Sequence, residues 1–265
     1  QRTKLAKLKD RPNWQRLVLE RLNKKVKKDS VLAVLKKGLD IDDAHFDLLY
    51  RLPYNELNPE VAANFEANRF SVTRQVHYSQ TDTFKSVDMA LFINGLVVAT
   101  LELKNPWTGQ NVQNAVRQYR TDRDPKEPLF EFGRCLVHFA VDPDEAFMCA
   151  QLAGNDSNFL PFNKGFNYGK GNPVNPNGHK TAYLWQEILP RRSLTNIIEQ
   201  FAKFTVEKDK KTGKERKALF FPRYHQLDVV RGILQDAQQK GVGQTYLIQH
   251  SAGSGKSNSI TWLAY

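Results

Sequence analysis

The chain has 265 residues, 40% of them hydrophobic, which suffices for one large domain or for one domain and part of a second. Its two cysteines lack metal-ligand spacing, and no signal peptide or apolar run of roughly 18–20 residues occurs, so we expect a cytoplasmic protein without a membrane partner. The formal net charge of +11 indicates a polyanionic partner.

Positive charge is concentrated at the start of the chain, where residues 1–28 contain eleven lysines and arginines against two acidic residues. Such a segment is either the solvated face of a basic helix or an arm that contacts phosphates or a protein partner. Charge alone does not separate these alternatives.

Helices are predicted first along the chain. Asp10-Arg11-Pro12 is typical of a capped helix start, and the apolar residues that follow fall on one helical face. A second helix is predicted from the apolar residues at 31–35. A third is predicted at 44–51, with Asp42 or Asp43 as its cap.

Strands are predicted next. Residues 69–78 alternate imperfectly between apolar and polar, and residues 87–93 and 96–103 are two β-rich runs. Asn94-Gly95 joins these two runs and is the strongest short signal for a two-residue hairpin turn.

A helix over 110–122 and a buried strand over 134–141 then predict an α/β fold with a mixed sheet flanked by helices. Residues 154–180 are rich in Gly, Asn and Pro, which is typical of a functional loop or of a connection between domains. Helices at 184–189 and 194–204 and a charged hairpin tip at 207–217 follow.

The last segment is predicted to contain a helix over 225–239, a turn at 241–243, a strand over 245–249, a Gly-rich loop and the start of another helix. Strand, Gly-rich loop and helix in this order are the context of a phosphate-binding loop.

The paired β-rich runs carry the first candidate site. With Asn94-Gly95 at the turn, Asp88 is expected opposite Glu102 to within one residue. Because side chains alternate along a strand, Glu102 and Lys104 should share a face while Leu103 points into the core. Two carboxylates and a lysine would then meet at the open end of the hairpin. The alternative is an exposed polar face without chemistry, since Glu-x-Lys occurs by chance in many proteins.

This arrangement suits phosphodiester hydrolysis. The carboxylates of Asp88 and Glu102, with the backbone carbonyl of Leu103, are candidate ligands of Mg²⁺. Lys104 could orient the attacking water or stabilise the developing negative charge. The residues resemble the PD-(D/E)xK nuclease superfamily, in which one strand supplies the acid and the next strand supplies the Glu-x-Lys.

The resemblance also implies a glutamine and a tyrosine on the following helix that steady the site or contact DNA. The candidates are Gln113, Gln118 and Tyr119, but the family spacing of glutamine and tyrosine four residues apart is absent. Solvent-facing glutamines on an amphipathic helix are the alternative.

The second candidate site is the Gly-rich loop that ends in Gly253-Ser254-Gly255-Lys256-Ser257. Backbone N–H groups of such a loop face phosphate oxygens, while Lys256 would reach the β- and γ-phosphates of ATP and Ser257 would bind Mg²⁺. His250 stands where the common pattern has Gly or Ala. A fortuitous Gly/Ser loop is the alternative.

Gln226 precedes the phosphate loop by some thirty residues in the sequence Pro-Arg-Tyr-His-Gln. In superfamily 2 helicases and translocases a glutamine at this place reads the adenine edge, and Arg223 and Tyr224 are its candidate neighbours.

Together these motifs resemble the restriction (motor) subunit of Type I restriction-modification enzymes. The motifs that carry the resemblance, in chain order, are Glu-Leu-Lys at 102–104, His-Phe-Ala-Val-Asp at 138–142, Pro-Arg-Tyr-His-Gln at 222–226 and the phosphate loop at 250–257. The resemblance implies an ATP-driven translocase that cuts unmethylated double-stranded DNA with the methylation and specificity subunits. Since the chain ends at Tyr265, it is interpreted as an amino-terminal fragment of such a subunit.

Four segments are predicted: a basic helical region over 1–60, a PD-(D/E)xK nuclease core over 61–153, connecting loop and helices over 154–218, and the start of a RecA-like ATPase domain over 219–265. Two other functions stay open at this point. One is a non-catalytic DNA-binding or docking module of a DNA translocase, and the other is an NTPase whose amino-terminal region is only an adaptor.

Overall fold

The computed structural model describes residues 2–55, 57–208, 213 and 215–264. Its strands are β1 (Leu39–Ile41), β2 (Ala44–Phe46), β3 (Phe70–His77), β4 (Ser86–Ile93), β5 (Leu96–Leu103), β6 (Val137–Val141), β7 (Ala146–Cys149), β8 (Leu160–Pro161), β9 (Lys203–Lys208) and β10 (Glu215–Phe220).

The α-helices of the described residues are α1 (Arg2–Lys9), α2 (Trp14–Asp29), α3 (Val31–Lys37), α4 (Pro59–Glu66), α5 (Val112–Thr121), α6 (Arg191–Asn196), α7 (Tyr224–Lys240) and α8 (Lys256–Ala264). A 3₁₀ turn (Pro106–Thr108) precedes α5, and π-helical turns lie at Leu184–Ile188 and, directly after α6, at Ile197–Phe201.

A six-stranded sheet forms the centre, in the order β3-β4-β5-β6-β7-β8. Strands β5 and β6 run parallel and every other neighbouring pair is antiparallel, so the predicted mixed sheet is confirmed. The parallel pair needs a long crossover, and α5 lies within that connection. Strands β1–β2 and β9–β10 form separate antiparallel hairpins.

Helices cover both faces of the sheet. On one face, α5 packs through Val112, Ala115, Val116 and Tyr119 against a buried cluster that includes Ala90. On the other face, α3, α6, α7 and the π-helical turns bury a larger apolar cluster against β5 and β6. The fold is therefore an α/β sandwich in which β5 is an interior strand, flanked by β4 and β6 and covered on both faces.

The larger apolar cluster contains Val26, Leu91, Leu194 and Trp262, one from each of the four segments expected from the sequence. The division into domains at 60, 153 and 218 stays a prediction.

The predicted helix start at Asp10-Arg11-Pro12 is wrong. The backbone N–H groups of Asp10 and Arg11 close the last turn of α1, which the sequence did not indicate. The next helix, α2, begins only at Trp14, after Asn13 in a left-handed conformation with φ of 60°.

The predicted helix at 44–51 is also wrong, because this stretch forms strand β2 of a hairpin with β1. Leu39 and Ile41 are buried while Asp40 between them is exposed, the two-residue period of a strand. Asp42, proposed as a helix cap, is instead in the turn with φ of 51°.

The predicted strand at 245–249 does not form. No strand pairs with it among the described residues, and Val242 and Leu247 are almost fully exposed. A strand of a parallel sheet is stable only between neighbours that take up its backbone hydrogen bonds. The preceding turn at Gly241 and Gly243, with φ of 79° and 94°, is confirmed.

The charged stretch 207–217, expected at a hairpin tip, includes the end of β9 and the start of β10, which pair with each other, although residues 209–212 and 214 lie outside the described residues. Among the described helices, none has the length and apolar character needed to cross a membrane. Cys135 and Cys149 are both buried free thiols.

Candidate active site

The hairpin of β4 and β5 places the two acidic residues together. Asn94 and Gly95 adopt φ of 49° and 84°, as a two-residue turn with two left-handed residues requires. Met89 pairs with Leu101 beyond a bulge in the middle of the hairpin. The same register, continued by one residue, sets Asp88 opposite Glu102, as expected from the sequence.

Asp88 is half-buried and held through both carboxylate oxygens. Its Oδ2 accepts a hydrogen bond of 2.8 Å from the backbone N–H of Leu103, and its Oδ1 accepts one of 3.3 Å from the side-chain amide of Gln75. Gln75 lies on β3 with a left-handed backbone, φ of 50°. Backbone strain of this kind is tolerated where the surroundings hold a side chain in a required place.

Glu102 is fully buried. Its Oε1 accepts a 2.7 Å hydrogen bond from Nε of Arg123, which is itself only 7% exposed. Its Oε2 has no hydrogen-bond donor among the described residues. The expectation of an open patch at the end of a two-stranded ribbon is therefore wrong for Glu102, because β5 is an interior strand whose face is covered by α5 and by Arg123.

Leu103 departs from the expectation as well. It lies on the sheet face opposite to Glu102, but its side chain is 41% exposed instead of buried in the core. Together with Val72, Met89 and Trp185 it lines an apolar cavity of about 500 Å³. The cavity lies between the end of β5 and the π-helical turn at Leu184–Ile188.

The two carboxyl groups repel one another. Burial raises the pKa of Glu102 to about 7, and the neighbouring Asp88 adds to the rise although the Arg123 ion pair opposes it. A buried acid of this kind favours binding of a proton or of a cation beside Asp88.

The donor set fits a hard divalent cation. Glu102 has a buried carboxylate oxygen without a donor, and the carboxyl group of Asp88 lies close enough to raise the pKa of Glu102. Oxygen ligands are those that Mg²⁺ prefers. The described residues contain no group of three or more His, Cys, Asp or Glu suited to a metal ion. Asp88 and Glu102 would therefore need further oxygen ligands from the backbone, from solvent or from a substrate, and the Leu103 carbonyl remains a predicted ligand.

Lys104 lies on the α5 side of the sheet together with Glu102. Its Nζ donates a hydrogen bond to Oε1 of Gln118 on α5. Gln118 thus contacts the predicted catalytic lysine directly. Gln113 is exposed on the same helix, one turn or more away from this contact.

Tyr119 is fully buried beneath the site and does not reach solvent. Its hydroxyl lies 2.8 Å from Oγ1 of Thr100, which lies 2.7 Å from Nδ1 of His138. This chain of polar groups joins α5 to β5 and β6 behind Glu102. Tyr119 therefore belongs to the scaffold of the site and not to a DNA-facing surface.

We expect acid to destabilise the fold through His138, because burial lowers the pKa of its imidazole to about 3. The folded-state pKa lies below the unfolded value of about 6.5. The neutral imidazole thus stabilises the fold fully above pH 6.5, and this stabilisation is lost as the pH falls, by about 1.4 kcal/mol per pH unit.

Urea unfolding between pH 7 and pH 5 tests this expectation. A His138→Gln substitution should flatten the pH dependence of the unfolding free energy. Replacement of His179, an exposed histidine, should leave the pH dependence as it is. Equal slopes for His138→Gln and the unsubstituted protein would contradict the assignment.

Sequence analysis did not identify two residues of this site. Arg123 follows α5 and contacts Glu102, 21 positions earlier, and Gln75 contacts Asp88 from the neighbouring strand β3. Neither contact is local, and neither residue belongs to a motif. A correct pairing of β3 with β4 would have placed Gln75 opposite Asp88, since Arg74 pairs with Met89 and Val76 with Val87.

The Gly-rich loop has the backbone expected of it at two positions. Gly253 and Gly255 adopt φ of 74° and 82°, and α8 begins at Lys256. Nζ of Lys256 donates hydrogen bonds of 3.0 Å to the carbonyls of His250 and Ser251. Ser257 is exposed on the first turn of α8.

Gln226 is buried against the loop. Its Oε1 accepts a hydrogen bond from the backbone N–H of Arg223, and its Nε2 donates to the carbonyls of Ser254 and Gly255 at 3.2 Å. Adenine reading by Gln226 would require these contacts to open, and this role remains a prediction. Tyr224 is a core residue, 8% exposed, and its place beside the adenine base remains a prediction, as does that of Arg223.

The fold and the site together define a mixed α/β protein in which a buried glutamate and a half-buried aspartate lie near a lysine. In comparison with known proteins, the family described as Type I restriction enzyme R protein N terminus matches residues 2–157. The chain belongs to this family, and the matched part is the N-terminal region of a Type I restriction R subunit.

Two curated proteins are similar over most of the chain. The putative type I restriction enzyme MjaIXP endonuclease subunit of Methanocaldococcus jannaschii is 22% identical over 93% of this chain and 26% of its own length. The type I restriction enzyme HindI endonuclease subunit of Haemophilus influenzae is 24% identical over 74% of this chain and 18% of its own length. The chain thus spans about a quarter or less of these relatives.

Proposed function

We propose that this chain carries the DNA-cutting site of an ATP-dependent Type I restriction subunit, with a nuclease core of the PD-(D/E)xK type. The observation that supports the proposal most directly is the unpartnered Oε2 of buried Glu102 beside the carboxylate of Asp88, with Lys104 on the same face of the sheet. The proposed reaction is Mg²⁺-dependent hydrolysis of phosphodiester bonds in unmethylated double-stranded DNA.

The proposed metal ligands are Asp88, Glu102 and the Leu103 carbonyl. A Mg²⁺ ion held there would polarise the scissile phosphate and favour ionisation of an attacking water. Asp88 and Glu102 provide two negative charges in a water-poor setting, where their attraction for a divalent cation is stronger than on an open surface. The hydrogen bonds of Leu103 and Gln75 to Asp88 hold that carboxylate in position.

Lys104 provides the positive charge of the site. Its stem is half-buried against α5, and Gln118 accepts one of its three N–H donors. Within the described part of the chain this ammonium group makes no other hydrogen bond, so its remaining donors could contact a phosphate oxygen on which negative charge develops, or orient the attacking water. A preorganised donor of this kind favours the transition state over the ground state.

ATP binding by the intact subunit is the second part of the proposal. The left-handed glycines at 253 and 255 and the helix start at Lys256 support a phosphate-binding loop. Lys256 now contacts two loop carbonyls, and these are contacts that an ATP phosphate would replace. The proposed ATP-binding residues are Gln226, Gly253, Ser254, Gly255, Lys256 and Ser257.

The proposed partners are double-stranded DNA and the methylation and specificity subunits of the same complex. A polyanionic partner agrees with the net charge of +11. Family membership and the similarity to two proteins named as endonuclease subunits favour the enzyme over a non-catalytic docking module.

Substitution of the two acids tests the nuclease assignment. Asp88→Asn or Glu102→Gln in the full-length subunit is expected to weaken Mn²⁺ binding measured by calorimetry without nucleotide, by about 10-fold or more, and to abolish DNA cutting. Asp122→Asn, at an exposed carboxylate that ends α5, is the matched control and should bind Mn²⁺ normally. Unchanged cutting by either site variant would refute the assignment.

A further inference from the structure

We propose that Arg123 is a positioning residue of the nuclease site, which holds both acidic ligands in register and leaves one oxygen of Glu102 for the metal ion. This inference rests on the proposed nuclease function, and it assigns to Arg123 a role that no sequence motif indicates.

The guanidinium of Arg123 is fixed by three acceptors. Nε donates to Oε1 of Glu102 at 2.7 Å, Nη1 donates to the hydroxyl of Tyr78 at 3.2 Å, and Nη2 donates to the backbone carbonyl of Ser86 at 2.9 Å. Its central carbon also lies 5.5 Å from the centre of the Tyr78 ring. A side chain held in this way has little freedom to leave Glu102.

The hydrogen bond from Arg123 to Ser86 is the first of a series of hydrogen bonds that ends at Asp88. Ser86 begins β4, and its Oγ donates a 2.8 Å hydrogen bond to Oε1 of Gln75. The amide nitrogen of Gln75 then donates to Oδ1 of Asp88. A single guanidinium thereby connects both carboxylates, Glu102 directly and Asp88 through Ser86 and Gln75.

The two carboxylate oxygens of Glu102 differ in their partners because of this arrangement. Arg123 takes Oε1, and Oε2 has no donor among the described residues. A free carboxylate could rotate so that both oxygens point away from Asp88, but the ion pair with a fixed guanidinium prevents this. The carboxylate is thus preorganised for a cation between Oε2 and Asp88.

Stability alone is a weak reason for a buried Arg–Glu pair. Taking both charges out of water costs about as much free energy as their attraction returns, and apolar replacements of similar volume are often as stable. A role in orienting a ligand gives the pair a function that an apolar pair would not have.

The test is metal binding and DNA cutting by the intact complex with Arg123→Met and Arg123→Lys. Methionine keeps the aliphatic stem without charge, and lysine keeps the charge without the planar fork. We expect Arg123→Met to weaken Mn²⁺ binding by about 10–100-fold and Arg123→Lys to weaken it less. Cutting should recover when the metal concentration is raised, while ATP hydrolysis stays at the level of the unsubstituted complex.

Arg120→Met is the matched control. Arg120 lies on α5, three residues before Arg123, is partly buried and donates from Nε and Nη2 to the backbone carbonyl of Ser157. The Mn²⁺ affinity of the Arg120→Met complex should equal that of the unsubstituted complex. A general loss of structure would instead lower ATP hydrolysis and cutting at every metal concentration, which separates a packing role from a positioning role.

Unchanged Mn²⁺ affinity in both Arg123 variants, or a cutting defect that added metal does not relieve, would overturn the inference. If Arg123→Met loses ATP hydrolysis, the inference is judged on Arg123→Lys alone. Unchanged Mn²⁺ affinity of that variant, or a cutting defect that added metal does not relieve, would then overturn it. Failure of the nuclease assignment itself has a different signature, since Glu102→Gln would then still cut DNA.

Discussion

Replacing Lys104 with alanine in the full-length subunit is expected to slow DNA cutting by about 10²–10³-fold while ATP hydrolysis continues unchanged. The lysine is the cation of the site that can meet developing negative charge on the phosphate, because Arg123 is already engaged by Glu102, Tyr78 and Ser86. Removal of its ammonium group leaves the metal ligands in place. Metal binding should therefore persist while cutting is lost.

The measurement is the rate at which the complex cuts unmethylated circular DNA, with ATP hydrolysis recorded in the same reaction. Gln118→Ala should give a smaller defect, since Gln118 contacts Lys104 but not the acids. Lys126→Ala, at an exposed lysine after α5, is the matched control and should cut normally. Normal cutting by Lys104→Ala would show that the lysine of the Glu-x-Lys pattern has no catalytic role here.

Replacing Lys256 with alanine is expected to lower ATP hydrolysis by about 100-fold or more and to stop translocation. The ammonium group of Lys256 lies within the loop that would surround the phosphates, where it contacts two carbonyls. Without it, the negative charge of the β- and γ-phosphates has no side-chain partner in the loop. Cutting that depends on translocation should be lost as well.

ATP hydrolysis stimulated by DNA and displacement of a bound third strand measure the two activities. Mn²⁺ binding at Asp88 and Glu102 should be unaffected, which separates this variant from the nuclease variants. Lys240→Ala, at an exposed lysine paired with Asp236 at the end of α7, provides the control. Retained ATP turnover by Lys256→Ala would dismiss the phosphate-binding interpretation of the loop.

Local sequence patterns predicted the centre of the fold well. Strands β4 and β5 and the turn at Asn94-Gly95 lie where the sequence placed them, and the turn sets the register as far as Phe92, where a bulge shifts it by one residue. Helix α5 also agrees within two residues of the expected bounds. These features depend on the two-residue period of strands, on turn chemistry and on helix amphipathicity, which act over a few residues.

The sequence-based prediction failed for two segments whose secondary structure depends on hydrogen bonds with distant parts of the chain. The stretch at 44–51 has apolar residues compatible with a helix, but pairing with β1 makes it a strand and a turn. Residues 245–249 have strand composition, but no described strand adjoins them. In both cases the backbone hydrogen bonds available from another segment decided the outcome, and composition alone carries no information on them.

The candidate active site shows the same division. The sequence by itself determined that Asp88 lies opposite Glu102 to within one residue and that Lys104 shares a face with Glu102, because hairpin register and side-chain alternation are local properties. The bulge between Leu91 and Phe92, which the sequence did not indicate, decided the pairing. Only the tertiary structure decided that Glu102 is buried, that Arg123 occupies one of its oxygens and that Gln75 supports Asp88. These properties come from α5 and β3 packing around β4 and β5, and burial in turn raises the pKa of Glu102 and creates the unpartnered oxygen on which the proposed metal site depends.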